Sequence, residues 1–157
     1  MNNDSRRKYW NKEYVDYWRG RVESTNELSL TDTSVLTDDP TSTDKLYFQV
    51  INLLDINNDE TVLEVGCGYG RSLLYLSSMA HDVIGVDISS EMIKIAKILT
   101  KTAANVTLHV SESEKMSFED DSVDKIICFA AFDAMYQKEA LCEFNRVCKN
   151  GGKIIIT

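Results

Sequence analysis

From Thr61 onward, five short apolar runs alternate with segments of helical periodicity, and that alternation limits the possible folds more than any other feature. The runs cover residues 61–65, 82–87, 106–110, 123–129 and 153–157. The first ends at a glycine cluster and opens a helix carrying Leu73, Leu74 and Leu76. After the second, Ser89 or Ser90 can cap a helix in which Met92, Ile95, Ala96 and Leu99 share a face. A helix over 137–149 carries Leu141, Phe144 and Val147, and Gly151-Gly152 then turns the chain into the fifth run. Strands and helices alternating at this spacing predict βαβ units: an α/β fold with a doubly wound, mainly parallel sheet and helices on both faces. The fourth run is nearly all apolar, as a strand buried on both faces requires. Ligands of such sheets bind beyond the carboxyl ends of the strands. The chemistry is therefore expected at residues 66–70, Asp87, 111–114 and 129–136.

The chain upstream reads differently. Residues 8–20 predict a helix with Trp10, Tyr14, Tyr17 and Trp18 near one face. Five of the fourteen aromatic residues, including both tryptophans, lie between Tyr9 and Trp18. On periodicity alone that stripe reads as ordinary packing. Residues 24–44, rich in Ser, Thr and Asp, read as a polar connector. A helix at 43–55 follows, with Leu46, Val50, Leu53 and Leu54 on its inner face. The organisation expected is an N-terminal helical extension or lid with its connector over 1–42, and one ligand-binding domain over 43–157.

The strongest motif is Val62-Leu63-Glu64-Val65-Gly66-Cys67-Gly68-Tyr69-Gly70-Arg71. Glycines directly after a buried strand remove Cβ atoms where a ligand must touch the backbone. The spacing is G-x-G-x-G rather than the G-x-G-x-x-G of dinucleotide binders, and an acidic residue precedes it by two. Asp87, twenty-one residues after Gly66, ends the second strand, where a carboxylate can accept both hydrogen bonds of a ribose diol.

With these residues the sequence resembles the class I S-adenosylmethionine-dependent methyltransferases of Rossmann-like fold and small-molecule type. LEVGCGYG is similar to the family's first motif, and GVDISSEMIKIAK to its second-strand acidic motif and following helix. VSESEKMSFEDDSVDKIICFAAF and EFNRVCKNGGKIIIT are similar to the later stretches, so the resemblance covers roughly residues 44–157. It implies a strand order of 3-2-1-4-5, S-adenosyl-L-methionine as cofactor and S-adenosyl-L-homocysteine as product. It places Gly66, Cys67, Gly68 and Gly70 along the methionine portion, the Cys67 thiol serving packing rather than nucleophilic attack. Glu64 would orient the loop and help hold the ammonium group, and Asp87 would take the ribose hydroxyls. Ile88 and Met92 would lie near the adenine, with Glu112 accepting from its amino group and Ser113 giving a backbone contact; Phe129 would be a further cofactor-binding residue, or core or substrate wall. Ser111, Glu112 and Ser117 depart mildly from the family pattern; a solvated acidic loop is the other reading of Glu112 and Glu114. Phe132, Met135 and Tyr136 stand where the family's substrate pocket begins, either as core or as substrate wall. Tyr14, Tyr17 and Trp18 would close that pocket from the N-terminal side, their faces suited to a sulfonium cation.

The reaction implied is in-line methyl transfer to a small molecule, in which alignment and desolvation matter most and a dedicated base is optional. No single catalytic residue stands out. The alternative is a noncatalytic or truncated cofactor-binding module acting through self-association or a partner. A nicotinamide-dependent oxidoreductase is disfavoured by the glycine spacing. Lys plus Arg number 17 against 25 Asp plus Glu, a net charge of −8, which disfavours nucleic acid and membrane surfaces. No apolar run approaches the ~20 residues that span a bilayer. Cys67, Cys128, Cys142 and Cys148 form no CxxC and have no histidine at metal-ligand spacing, so no metal is expected. Buried free thiols point to a cytoplasmic, reducing compartment. His81 and His109 have no Ser or Cys partner suggesting a triad. Strand 153–157 would be a bare apolar edge. It would pair with a second copy or another partner unless the family's remaining strands follow.

Overall fold

The structure, a computed structural model, describes residues 3–15 and 43–157. Five strands form one parallel sheet: β1 (Thr61–Val65), β2 (Asp82–Asp87), β3 (Val106–Val110), β4 (Val123–Cys128) and β5 (Cys148–Ile156). Their order is β3-β2-β1-β4-β5, as expected. The crossovers run through α3 (Arg71–Ser77), α4 (Ser90–Leu99) and α5 (Gln137–Val147). Two helices precede the sheet, α1 (Asn3–Tyr9), continued by a π-helical turn at Trp10–Tyr14, and α2 (Thr43–Asn52).

Alternation along the central strands divides the core in two. Val62 and Ile127 face one side, where Tyr47, Ile51 and Leu54 pack with Leu73, Leu76 and Ile93. Leu63, Val65 and Ile126 face the other, against Ala140, Phe144 and Val147 of α5. Register pairs Glu64 with Gly85 across β1 and β2. A Cβ on Gly85 would stand 2.7 Å from Leu73 Cδ1 and 2.8 Å from Leu108 Cδ2, so helix and strand pack against bare backbone there.

Several elements differ from expectation. The first helix begins at Asn3 rather than near residue 8, because Asp4 favours a helix start and Arg6, Arg7 and Lys8 its end. In α2 the inner face is Tyr47, Ile51 and Leu54, whereas Leu46 and Leu53 are exposed. The helix stops at Asn52, before Asp55 at φ 54. In α4 the buried residues are Met92, Ile93 and Ala96, with Ile95 and Leu99 only partly covered. Leu141 of α5 is exposed.

The fifth strand begins at Cys148 instead of Lys153. Its pairing jumps from Val123↔Cys148 to Lys125↔Lys153, so the Gly151-Gly152 segment forms an irregularity inside the strand. Gly151 takes φ +82, and a Cβ on Gly152 would lie 2.6 Å from Asp124 O. All four cysteines are free, but Cys142, expected buried, is exposed on α5. Among the described residues, no helix is long and apolar enough to cross a membrane.

Candidate functional site

The carboxyl ends of the strands meet at the β1–α3 loop. Gly66 N–H and Cys67 N–H both donate to Val86 O, at 2.8 and 3.0 Å, which ties the loop to the end of β2. Gly66, Gly68 and Gly70 all have positive φ, at 77, 54 and 83°. Two of them pack tightly. A Cβ on Gly66 would stand 2.5 Å from Ala131 Cβ, and one on Gly70 2.9 Å from Ala96 Cβ. A Cβ on Gly68 would meet nothing within 4 Å among the described residues. The open side of the loop is therefore at Gly68, where a ligand can approach the backbone.

Asp87 holds that loop from the end of β2. Its Oδ2 accepts from Gly68 N–H at 2.9 Å and its Oδ1 from Ser89 N–H at 2.8 Å. Burial raises its carboxyl above the usual range, against the opposing effect of those two N–H donors. Glu64, one residue before the end of β1, is buried. It accepts from Tyr47 Oη at 3.1 Å and from the hydroxyl of Ser72, in the first turn of α3. Burial pushes Glu64 up to about 7, the two hydroxyls opposing and the charge of Asp87 adding to the rise. A cation brought to this pair of carboxyls would relieve both effects.

The segments after β3 and β4 complete the rim, and the N-terminal helix closes on them. Glu114 Oε1 accepts from Arg6 at 2.7 Å, and both side chains are buried, at 9% and 8% exposure. The same oxygen accepts from Tyr136 N–H at 2.8 Å. The Arg6 guanidinium lies 5.1 Å from the centre of the Tyr136 ring. Burial alone would raise Glu114; the Tyr136 N–H and Arg6 outweigh it and hold the carboxyl below the usual range. Arg7 pairs with Glu112 at 2.8 Å in a more exposed setting. On the next turn Asn11 Oδ1 accepts from Ser89 Oγ at 2.7 Å, while Ser89 Oγ caps α4 by accepting from Met92 N–H. Buried Ser113 Oγ and Glu114 Oε2 have no hydrogen-bond partner among the described residues.

The structure thus brings Glu64, Gly66, Cys67, Gly68, Gly70 and Asp87 to one strand-end cluster, with Ile88 next in the chain. Cys67 is buried against the sheet, and burial drives its thiol well up, so it is no nucleophile in this setting. Met92, at 1% exposure, offers no surface to a ligand in this state. Phe129 packs edge-on to Tyr47, with centroids 4.5 Å apart, and Phe132 leans on Phe144. Tyr136 is exposed. Tyr17, Trp18 and the side chain of Tyr14 lie outside the described residues. His81 is exposed beside Asp82, and His109 packs edge-on to Phe118.

Sequence reading missed Tyr47, Ser72, Arg6 and Asn11. Ser72, eight residues after Glu64 on the first turn of the helix, was within reach of a careful reading. Nothing in the sequence pairs Arg6 and Arg7 with Glu114 and Glu112 more than a hundred residues away. Glu114, open to a solvated reading, is instead buried and paired. Among the described residues, no group of three or more His, Cys, Asp or Glu is arranged to hold a metal ion.

A family profile described as a methyltransferase domain matches residues 63–156. An uncharacterized protein of Methanocaldococcus jannaschii is 39% identical over 104 residues, 66% of this chain and 38% of that protein. The ubiquinone/menaquinone biosynthesis C-methyltransferase UbiE of Citrifermentans bemidjiense is 30% identical over 113 residues, 68% of this chain and 48% of that one. The crystal structure of a SAM dependent methyltransferase from Aquifex aeolicus is similar at a TM-score of 0.61 and 30% identity, covering 75% of this chain and 68% of that one. The chain spans less than half the length of these two curated relatives.

Proposed function

The chain belongs to the methyltransferase-domain family, and from that premise we propose that it binds S-adenosyl-L-methionine at the β1–α3 loop and methylates a small molecule. The observation that carries this reading is the Gly68 backbone, open on one side and fixed on the other by Asp87. The residues present fit the cofactor. Glu64 and Asp87 supply carboxyls for an ammonium group and a ribose diol, and the open backbone at Gly68 leaves room for the chain between them. Ile88, Glu112, Ser113 and Phe129 are proposed on the adenine side. Tyr14, Tyr17, Trp18, Phe132 and Tyr136 are proposed on the acceptor side, with residues 1–42 as a lid and connector to a binding domain over 43–157.

When bound, the sulfonium supplies a methyl carbon already activated for in-line displacement, leaving S-adenosyl-L-homocysteine. The protein then has to align and desolvate. Asp87 holds the loop in register with β2, Glu64 fixes the loop's entry through Tyr47 and Ser72, and the aromatic rim excludes water. A small acceptor is favoured by the charge of −8 and by the quinone-biosynthesis name of the UbiE relative. The same charge argues against nucleic acid and membrane surfaces, and the free thiols support a cytoplasmic location.

Titration calorimetry with S-adenosylmethionine, S-adenosylhomocysteine and NAD tests the reading. Affinity on the order of micromolar for the first two, none for NAD, and loss of binding in Asp87→Ala are expected. NAD binding, or adenosyl binding indifferent to Asp87, would sink it.

A further inference from the structure

We propose that Glu114 is the positioning residue that docks the N-terminal helix onto the ligand site, acting through Arg6 on one side and the Tyr136 backbone on the other. The inference deepens the reading above and rests on it for the identity of the ligand. One carboxylate oxygen gathers three separate parts of the chain: Arg6 from α1, Glu114 from the turn after β3, and Tyr136 from the segment after β4. Those segments have no covalent reason to meet. Arg6 is buried and donates to Glu114. Its guanidinium also covers the Tyr136 ring, a contact that adds to the ion pair where water is excluded.

Two further contacts fix the direction in which α1 runs. Arg7 reaches Glu112, and Asn11 reaches Ser89, which lies two residues beyond Asp87. The helix and its π-helical turn therefore run from the segment after β3 and the start of α5 to the start of α4, on the side where the adenosyl group is proposed to sit. Of the two ion pairs, Arg7–Glu112 is exposed and Arg6–Glu114 is not. An exposed pair contributes little, whereas removing one partner of a buried pair strands a charge. Glu114 is thus the anchor and Glu112 the lesser contact.

Both tryptophans lie in the N-terminal segment, Trp10 directly after α1, so tryptophan emission reports on that segment rather than on the sheet. The full chain would be compared with Arg6→Met, Arg6→Lys, Glu114→Gln and the Arg6→Met/Glu114→Gln double variant. Far-UV circular dichroism checks that the sheet stays folded. In the ligand-free protein, Arg6→Met and Glu114→Gln should shift emission to longer wavelength, Arg6→Lys should largely restore it, and the double variant should be no worse than the worse single. The same variants should bind S-adenosylhomocysteine about tenfold more weakly, as follows if the docked state falls to roughly a tenth of the population. Unchanged emission in Arg6→Met overturns the proposal, as does additive behaviour in the double variant or unchanged or tighter S-adenosylhomocysteine binding. Should Glu114→Gln fail to fold, the Arg6 series decides alone. If the unaltered chain binds no S-adenosylhomocysteine, the functional reading falls, and the emission series still decides whether Glu114 docks the helix.

Discussion

Glu64 makes stability depend on pH in the direction opposite to an ion-paired carboxylate. Its carboxyl is pushed from 4.5 up to about 7. Between those values the folded protein keeps a proton that the unfolded chain has released. The stabilisation is therefore complete below about pH 4.5 and is lost as pH rises through 7. Glu64→Gln, which cannot ionise, should match the parent in urea unfolding at pH 4 and exceed it at pH 8, by up to roughly 3 kcal/mol. Equal pH slopes for the two proteins would contradict the burial argument. The glycine loop gives a second contrast at this scale. Gly66→Ala places a Cβ 2.5 Å from Ala131 at φ +77. It should destabilise by about 1–3 kcal/mol. Gly68→Ala meets nothing within 4 Å at φ +54. It should cost only about 1 kcal/mol, from the left-handed backbone alone, yet weaken S-adenosylhomocysteine binding about tenfold or more, because the added methyl fills the side left open to a ligand.

Among the elements, α2 shows where periodicity misleads. The sequence from Leu46 to Leu54 offers two overlapping apolar stripes, Leu46-Val50-Leu53 and Tyr47-Ile51-Leu54, both at i, i+4, i+7. Hydropathy favours the first because tyrosine scores as polar. The structure buries the second, because Tyr47 carries its hydroxyl to Glu64 and its ring to Phe129. Ile51→Ala should cost about 2–5 kcal/mol and Leu53→Ala no more than ~0.5 kcal/mol in denaturant unfolding. Equal losses would restore the first stripe. By contrast the start of α4 was legible, since one of the two serines offered as its cap, Ser89, caps it. A cap is a local device. A choice between two stripes is made by what lies opposite.

For the whole molecule, β1, β2 and β4 each have a strand on both sides, whereas β3 and β5 have one on a single side among the described residues. β5 carries Ile154, at 37% exposure, at such an edge. Such an edge favours strand pairing, so sedimentation of this chain should show concentration-dependent self-association, reduced by Ile154→Lys. A strictly monomeric parent would count against pairing at residues 153–157.

The residues by themselves determined the alternation of strands and helices, its parallel crossovers and the glycine loop set beside Asp87, while the strand order followed from the family resemblance. The first three rest on short-range rules: side-chain period, glycine after a buried strand, and the end of a parallel strand as the place for ligands. Only the tertiary structure decided which face of α2 is buried, that Gly151-Gly152 lies within β5, and that Arg6 reaches Glu114. Those outcomes depend on what stands across the gap from each residue. A partner 108 positions away leaves no periodic trace in the chain that must meet it.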